Sequence, residues 1–372
     1  MKKIVGLLLI AFLLMSSSIS SSQIELNKND VIYVDDDNTD GPWDGSIEHP
    51  YNSVQDGIDH ASDGETVFVY NGSYNEFIVI DKSMNLIGEN KNSTIIYGNN
   101  GSGHVIIVTK NFVNISGFTV QYGNDGIRVE SSYVTIFDNK ILANGYGLNI
   151  YPGPFGSSYC CLVKGNIISK NRWFGIEIHM SDNNNIFGNM VTYNQYSGIS
   201  LIVSTSNNLS YNTINNNRCT GIYGIKTHEN VILENIVQSN GRNYRVVDSG
   251  INFNRCSNNF FKGNILVNNK EEGIELNDSS NNYFEYNIIS DNSLCGVFTH
   301  ASGVGNEPNY FCKNNIFNNS KDNDHVKLQV KEFGVRNRWK DNYWDDWIGL
   351  TYRFLSFFPY YISGFLFFNF DW

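Results

Sequence analysis

The stretch Asn184-Asn-Ile-Phe-Gly-Asn189-Met-Val-Thr-Tyr-Asn194-Gln-Tyr-Ser-Gly198-Ile-Ser-Leu201 is followed by Asn207-Asn-Leu-Ser-Tyr-Asn212-Thr-Ile-Asn-Asn-Asn217, so that each marked asparagine recurs 23 residues on. A central column runs through Asn139, Asn166, Asn189, Asn212, Asn235, Asn264, Asn287 and Asn314. Five residues later runs Asn144, Asn171, Asn194, Asn217, Asn240, Asn269, Asn292 and Asn319. Five residues earlier runs Asn184, Asn207, Asn230, Asn259, Asn282 and Asn309. The three columns keep their offsets when the period lengthens, which composition alone does not produce. Two residues after the central column stands an aliphatic position: Ile141, Ile168, Val191, Ile214, Val237, Leu266, Ile289 and Ile316. Each coil then carries a glycine and an alternating strand, as in Gly126-Ile-Arg-Val, Gly175-Ile-Glu-Ile, Gly250-Ile-Asn-Phe and Gly273-Ile-Glu-Leu. Alternation marks short strands with one buried face. Three short strands per coil, stacked at about 4.8 Å, describe an all-β right-handed parallel β-helix, with asparagine amides bonding from coil to coil.

Composition agrees. Charged residues are 17% of the 372 and net charge is −11, yet mean hydropathy is −0.30. Asparagine supplies the polarity at about 15% of residues, and it tolerates the turns such a solenoid needs. The acidic balance argues against nucleic acid as a partner, and no basic stripe stands out in the sequence. Residues 1–23, with Lys2 and Lys3 before the apolar run Ile4–Met15 and a serine run, read as a secretory signal ending near Ser20–Gln23, with an uncleaved anchor as the alternative. Export would permit disulfides among Cys160, Cys161, Cys219, Cys256, Cys295 and Cys312, while small apolar residues in the stack are the other reading.

The expected organisation is an N-terminal cap with first coils over 24–100, repeats over 101–325, and an aromatic C-terminal cap over 326–372. Residues 53–62 read as a short N-terminal capping helix, with Val54, Ile58 and Ala61 on one face before Gly64. Trp339, Tyr343, Trp344, Trp347 and the aromatic run from Phe354 to Phe368 interrupt the repeat, as a cap or as a contact with a membrane or partner.

Several motifs carry a family resemblance. They are Ile32-Tyr-Val-Asp-Asp-Asp-Asn-Thr-Asp-Gly-Pro-Trp-Asp-Gly45, Glu48-His-Pro-Tyr51, Ser53-Val-Gln-Asp-Gly-Ile58, Ala61-Ser-Asp-Gly-Glu-Thr-Val67, Asn71-Gly-Ser-Tyr74, Leu86-Ile-Gly-Glu-Asn90 and Asn342-Tyr-Trp-Asp-Asp-Trp-Ile-Gly349. With the repeat, they make the chain resemble NosD-like, CASH-type β-helix repeat proteins, especially exported archaeal ones. That resemblance spans nearly the whole mature chain and implies the same fold. Its members range over copper maturation, sugar processing and surface roles, so the fold does not choose among them.

Chemistry is sought on the outward positions two and four after each glycine. These are Arg128 and Glu130, Asn149 and Tyr151, Glu177 and His179, Ser200 and Ile202, Asn252 and Asn254, Glu275 and Asn277, Phe298 and His300. For the coil with two glycines, counting from Gly224 adds Lys226 and His228. The plain reading is a solvated sheet face. The functional reading is a carbohydrate groove using Trp173, Glu177, His179, Tyr196, Lys226, His228, Asn252, Asn254, Glu275 and Asn277, with the longer coils walling it. Trp173 and Tyr196, one coil apart, are expected to stack at its edge.

No catalytic residue is assigned. Glu177 and Glu275 are four coils, roughly 19 Å, apart, beyond the separation of a glycosidase pair. Asp248 and Glu272, on neighbouring coils at one bend, are a closer combination, read as charges on a solvated turn. His179, His228 and His300 are too far apart to share one copper ion. Asp36-Asp-Asn-Thr-Asp-Gly41 reproduces the opening of a calcium loop, making Asp36, Asn38 and Asp40 candidate calcium ligands, with an acidic turn as the alternative. Asn71, Asn92, Asn100, Asn114, Asn208, Asn277 and Asn318 open glycosylation sequons. The sequence therefore predicts a secreted or cell-surface β-helix, non-catalytic, binding glycans or envelope components. A polysaccharide lyase or hydrolase, and a copper-maturation accessory, are the alternatives.

Overall fold

A computed structural model describes residues 31–98, 103–153, 156, 158–242, 248–302, 307–320, 329–334, 337–344 and 363–364. Among them, three parallel sheets of 13, 12 and 12 strands run the length of a solenoid. The coil quoted above contributes Asn185–Phe187 to the first sheet, Met190–Thr192 to the second and Ile199–Ile202 to the third. Each pairs in register with the same strand one coil on, as in Ile186↔Leu209, Val191↔Ile214 and Ile199↔Ile222.

Inward positions are fully buried. Ile141, Ile168, Val191, Ile214, Val237, Leu266, Ile289 and Ile316 each have 0% exposure. In the first sheet the aliphatic column gives way to aromatics, and Phe261, Phe284, Phe311 and Trp339 stack with centroids 4.1–4.6 Å apart. Identical shapes at strand spacing favour this offset stacking.

The asparagine columns occupy the three corners, inside. Asn212 shows the pattern. Its Nδ2 donates to Ile186 O at 2.8 Å and to Asn235 Oδ1 at 3.0 Å, and its Oδ1 accepts from Asn189 N at 2.9 Å and Asn189 Nδ2 at 3.0 Å. Every polar atom of the buried amide is met, so burial costs little. The sequence suggested that these asparagines make the turns themselves. Instead the residue before each is the left-handed one: Asp138, Tyr211, Glu234, Tyr286 and Asp341 have φ of 50–56°, and Gly165, Gly188 and Gly263 fill the same place. A left-handed L-residue costs on the order of 1 kcal/mol, which the ladder's bonds offset.

The ends hold further detail. A helix spans Val54–His60 with Val54 and Ile58 buried, and the Ser53 Oγ accepts from Asp56 N at 3.1 Å. The Glu76 carboxylate completes the cap by accepting from Val54 N and Gln55 N. At the far end, Trp339 and Trp344 do not break the repeat. Their strands extend the first and second sheets, and Asn337 and Asn342 extend two ladders. Trp347 and residues 354–362 and 365–368 of the aromatic run lie outside the described residues, as does the signal segment. All six cysteines are free, and four of them are buried in the stack.

Candidate functional site

The outward face of the third sheet presents two columns in strict register. The first reads Arg128, Asn149, Glu177, Ser200, Tyr223, Asn252, Glu275, Phe298 and Lys331. The second includes His179, Ile202, Ile225, Asn254, Asn277 and His300.

One expected pair is displaced. The frame glycine of its coil is Gly221, where a Cβ would meet Val237 Cγ1 at 2.4 Å and the Gly250 carbonyl oxygen at 2.7 Å. Gly224 instead points inward and leaves room for the Phe253 ring. Tyr223 and Ile225 therefore face outward. Lys226 follows the strand in a left-handed turn (φ 49°), and His228 sits at the next corner, where its Nδ1 accepts from Ser257 N at 3.1 Å. Neither belongs to the two outward columns.

Two clusters of ionisable groups stand on this face. In one, Asp125 is 1% exposed, with its Oδ2 3.1 Å from His104 Nδ1 and 3.4 Å from Arg128 NH1. Arg128 Nε also donates to Glu130 Oε1 at 2.6 Å, and the guanidinium lies 4.4 Å over the Tyr151 ring. Glu177, 6% exposed, has its carboxyl 3.5 Å from His179 Nδ1. Burial, helped by the charge of Asp125 and opposed by Arg128, pushes its pKa up to about 7. Burial also lowers that of His179. Asn149 Oδ1 and Ser200 Oγ, beside Glu177 in the same column, are buried with no hydrogen-bond partner among the described residues.

In the other cluster, Glu271, Glu272 and Glu275 bring carboxylate oxygens within 4.8 Å of one another. Glu275 accepts from Ser249 Oγ at 2.8 Å, Asn252 Nδ2 at 2.5 Å and Asn277 Nδ2 at 2.8 Å. Ser249 Oγ also reaches Glu272 at 3.2 Å. Burial, then the charge of Glu275, pushes Glu272 up to about 7, and burial raises Glu271 as well.

The structure thus joins Asn252, Glu275 and Asn277, and joins Glu177 to His179, four coils away. Asn254 stands in the second column without entering either cluster. Trp173 and Tyr196 do not stack on each other. Tyr196 packs edge-on against Phe174 at 5.0 Å, Phe174 meets Tyr146 at 6.0 Å, and Trp173, 43% exposed, carries Arg172 over its ring. Asp125, Tyr146, Tyr223, Ser249 and Glu271 escaped the sequence reading. Glu271 had a signal, since it lies two residues before its glycine, as Trp173 and Tyr196 do. Walls from the longer coils fall partly on residues 154–155, 243–247 and 303–306, outside the described residues.

The candidate calcium ligands lie in the N-terminal turn. Asp36 Oδ2 accepts from Ser73 N at 2.8 Å, Asn38 Nδ2 donates to Pro50 O at 2.7 Å, and Asp40 is exposed.

A family model described as "Right handed beta helix region" matches residues 103–247 and 241–337. Nothing among curated protein sequences matches the chain. Among solved structures, the chain is similar to the Azotobacter vinelandii mannuronan C-5 epimerase AlgE4 A-module (13% identity, 84% of this chain and 95% of that one, TM-score 0.69). It is similar to the Dettilon tailspike protein gp208 (15% identity, 84% of this chain, TM-score 0.64) and to the Agl-KA catalytic domain (15% identity, 75% of this chain, TM-score 0.62). The chain spans 65% of the tailspike and 59% of the Agl-KA domain. At these identities the likeness is one of fold.

Proposed function

We propose that this chain, which belongs to the right-handed β-helix family, binds an extended glycan along the outward face of its third sheet. The observation that carries this reading is the buried, unmet pair Asn149 Oδ1 and Ser200 Oγ beside Glu177. Unpartnered polar atoms at the floor of a groove are costly unless a ligand or water meets them. Donors and acceptors rise along the face at about one coil per 4.8 Å. The Tyr146, Phe174 and Tyr196 rings give one edge an apolar surface on which sugar faces stack. The solved structures it resembles include proteins named for a polysaccharide epimerase and a tailspike. In this reading residues 1–23 direct export, the protein works outside the cell or on its surface, and some sequons carry glycans. NosD-like, archaeal kinship fits that setting. A copper role finds less support, since His179 and His300 stand five coils apart in one column.

A second reading, glycoside hydrolysis, is favoured by one observation: Glu272 and Glu275 bring carboxylate oxygens within 4.8 Å of each other, close enough for both to act at one glycosidic bond. Glu272, protonated near neutral pH, would give its proton to the glycosidic oxygen as that bond to the anomeric carbon breaks. Glu275 would attack the same carbon, and water, losing a proton to Glu272, would then release the sugar.

A glycan array with the wild type, Ser200→Ala and Tyr196→Ala tests the first reading. Binding weakened by both substitutions supports it, and binding indifferent to both overturns it. Reducing ends released by the wild type but not by Glu275→Gln would establish the second.

A further inference from the structure

Outside the groove, at the corner where the second sheet turns into the third, the structure holds a cleft of about 500 Å³. It is lined by Lys170, Tyr193, Gln195, Asn216, Arg218 and Arg242. The residues on either side of each buried ladder asparagine project there. Lys170, Tyr193 and Asn216 precede Asn171, Asn194 and Asn217 in left-handed turns, with φ of 53–58°. Gln195 and Arg218 follow the same columns, and their amides are fixed to Asn171 O at 2.8 Å and Asn194 O at 2.9 Å. Arg242 is fixed to Arg218 O at 2.9 Å. The cleft's side chains therefore stand on a rigid backbone at the solenoid's own repeat.

Its charge is the opposite of the molecule's. The chain carries −11 overall, yet the cleft is lined by Lys170, Arg218 and Arg242 and by no carboxylate. Arg172 and Lys270 flank it on the same column, Lys270 beside Asp248 and Glu271, and all five cations are exposed. None of them has a described carboxylate within ion-pair distance. Arg218 NH1 instead lies 3.4 Å from the Gln195 amide oxygen. The sequence reading found no basic stripe because 23-residue spacing hides these residues from one another, and coil stacking brings them together.

We propose that this cleft is a binding site for a linear glycan bearing carboxylates or sulfates, separate from the groove on the third sheet. Counted in coils from Lys170, cations stand at roughly 0, 10, 14 and 19 Å along the axis. A uronate chain laid along that axis carries one charge per sugar, a repeat of the same order as the coil rise. Between the cations stand Gln195, Asn216 and the exposed Tyr193 ring, which suit hydroxyls and a sugar face. A nucleic acid carries denser charge, which the remaining acidic surface opposes beyond the cleft.

The test is titration of the full chain with a galacturonate decasaccharide at two salt concentrations. Maltodecaose, a ten-residue thymidylate strand and phosphatidylglycerol vesicles serve as comparisons. The expected result is salt-sensitive binding of the galacturonate chain that Arg218→Gln with Arg242→Gln weakens about tenfold or more. Replacing both arginines by lysine keeps binding within about threefold of the wild type, because the charge remains. Lys110→Gln with Lys340→Gln, the same loss of charge at exposed positions elsewhere, leaves it unchanged. No binding of the galacturonate chain, equal binding by the double glutamine variant, or equal or tighter binding of the thymidylate strand or vesicles overturns the proposal. Failure of the groove reading appears separately, as array binding indifferent to Ser200→Ala and Tyr196→Ala.

Discussion

The corners of the solenoid and the outward face of its third sheet are both rich in asparagine, and they use it in opposite ways. At the corners each amide is buried and meets its neighbours above and below, as Asn212 does with Asn189, Asn235 and Ile186. On the face, Asn149 keeps an unmet oxygen and Asn252 is drawn to Glu275. A ladder needs the same residue in every coil, because each amide is satisfied only by its copy. A binding face gains from the reverse, since only a change from coil to coil creates a distinct place. The same register therefore enforces uniformity inside and permits variety outside.

Breaking the ladder should give the largest effect. Asn212→Ala removes four side-chain bonds and leaves Ile186 O, Asn189 N and part of two amides unmet in a dry interior. At ~1–3 kcal/mol for each stranded group, with some relaxation, the loss is ~4 kcal/mol. Asn254→Ala, on the outward face, should change stability by no more than ~0.5 kcal/mol. Urea unfolding of both variants measures the contrast, and similar losses would mean that the ladder is no stronger than the surface.

The frame of the coil offers a medium-sized effect. Gly221→Ala places a methyl 2.4 Å from Val237 Cγ1 and 2.7 Å from the Gly250 carbonyl, which cannot move without shifting the next coil. Overpacking of this kind costs ~2 kcal/mol, seen as a lowered urea midpoint. A neutral result would show that the corner yields, and the assignment of Tyr223 and Ile225 to the groove would lose its support.

Much of this was legible in the sequence. The columns, the inward aliphatics and most outward positions follow from spacing, because stacking in register turns sequence period directly into neighbourhood. The coil with Gly221 and Gly224 was misread because both glycines fit the local pattern. The column spacing decides between them, since Gly221 follows Asn217 by four residues as Gly175, Gly198, Gly273 and Gly296 follow their ladder asparagines, and the Phe253 ring in the next coil confirms it. The Glu271–Glu272–Glu275 cluster was missed for a related reason: side-chain reach across a corner, through Ser249, is not a property of spacing. The edge aromatics failed likewise, since Tyr196 turns to Phe174 rather than to Trp173, its counterpart by period.

The smallest expected effect separates face from corner by pH, because ladder amides do not titrate and the face carboxyls do. Glu177 and Glu272 are raised from 4.5 to about 7 in the fold, chiefly by burial. Below 4.5 both folded and unfolded chains hold these protons, and their contribution to stability is at its best. Between about 4.5 and 7 the unfolded chain ionises while the fold keeps its protons, so stability falls, and above 7 the loss is complete. At 1.36 kcal/mol per pKa unit the ceiling is about 3 kcal/mol for each group. Water reaching the groove reduces this to on the order of 1 kcal/mol. Glu177→Gln and Glu272→Gln should each flatten the decline in melting temperature between pH 4.5 and 7 and raise stability at pH 7.5. A glycan that accepts a hydrogen bond from protonated Glu177 should move the same decline to higher pH, because binding then favours the proton. A decline untouched by either substitution would place the titrating groups elsewhere and leave the outward face as inert to pH as the ladder.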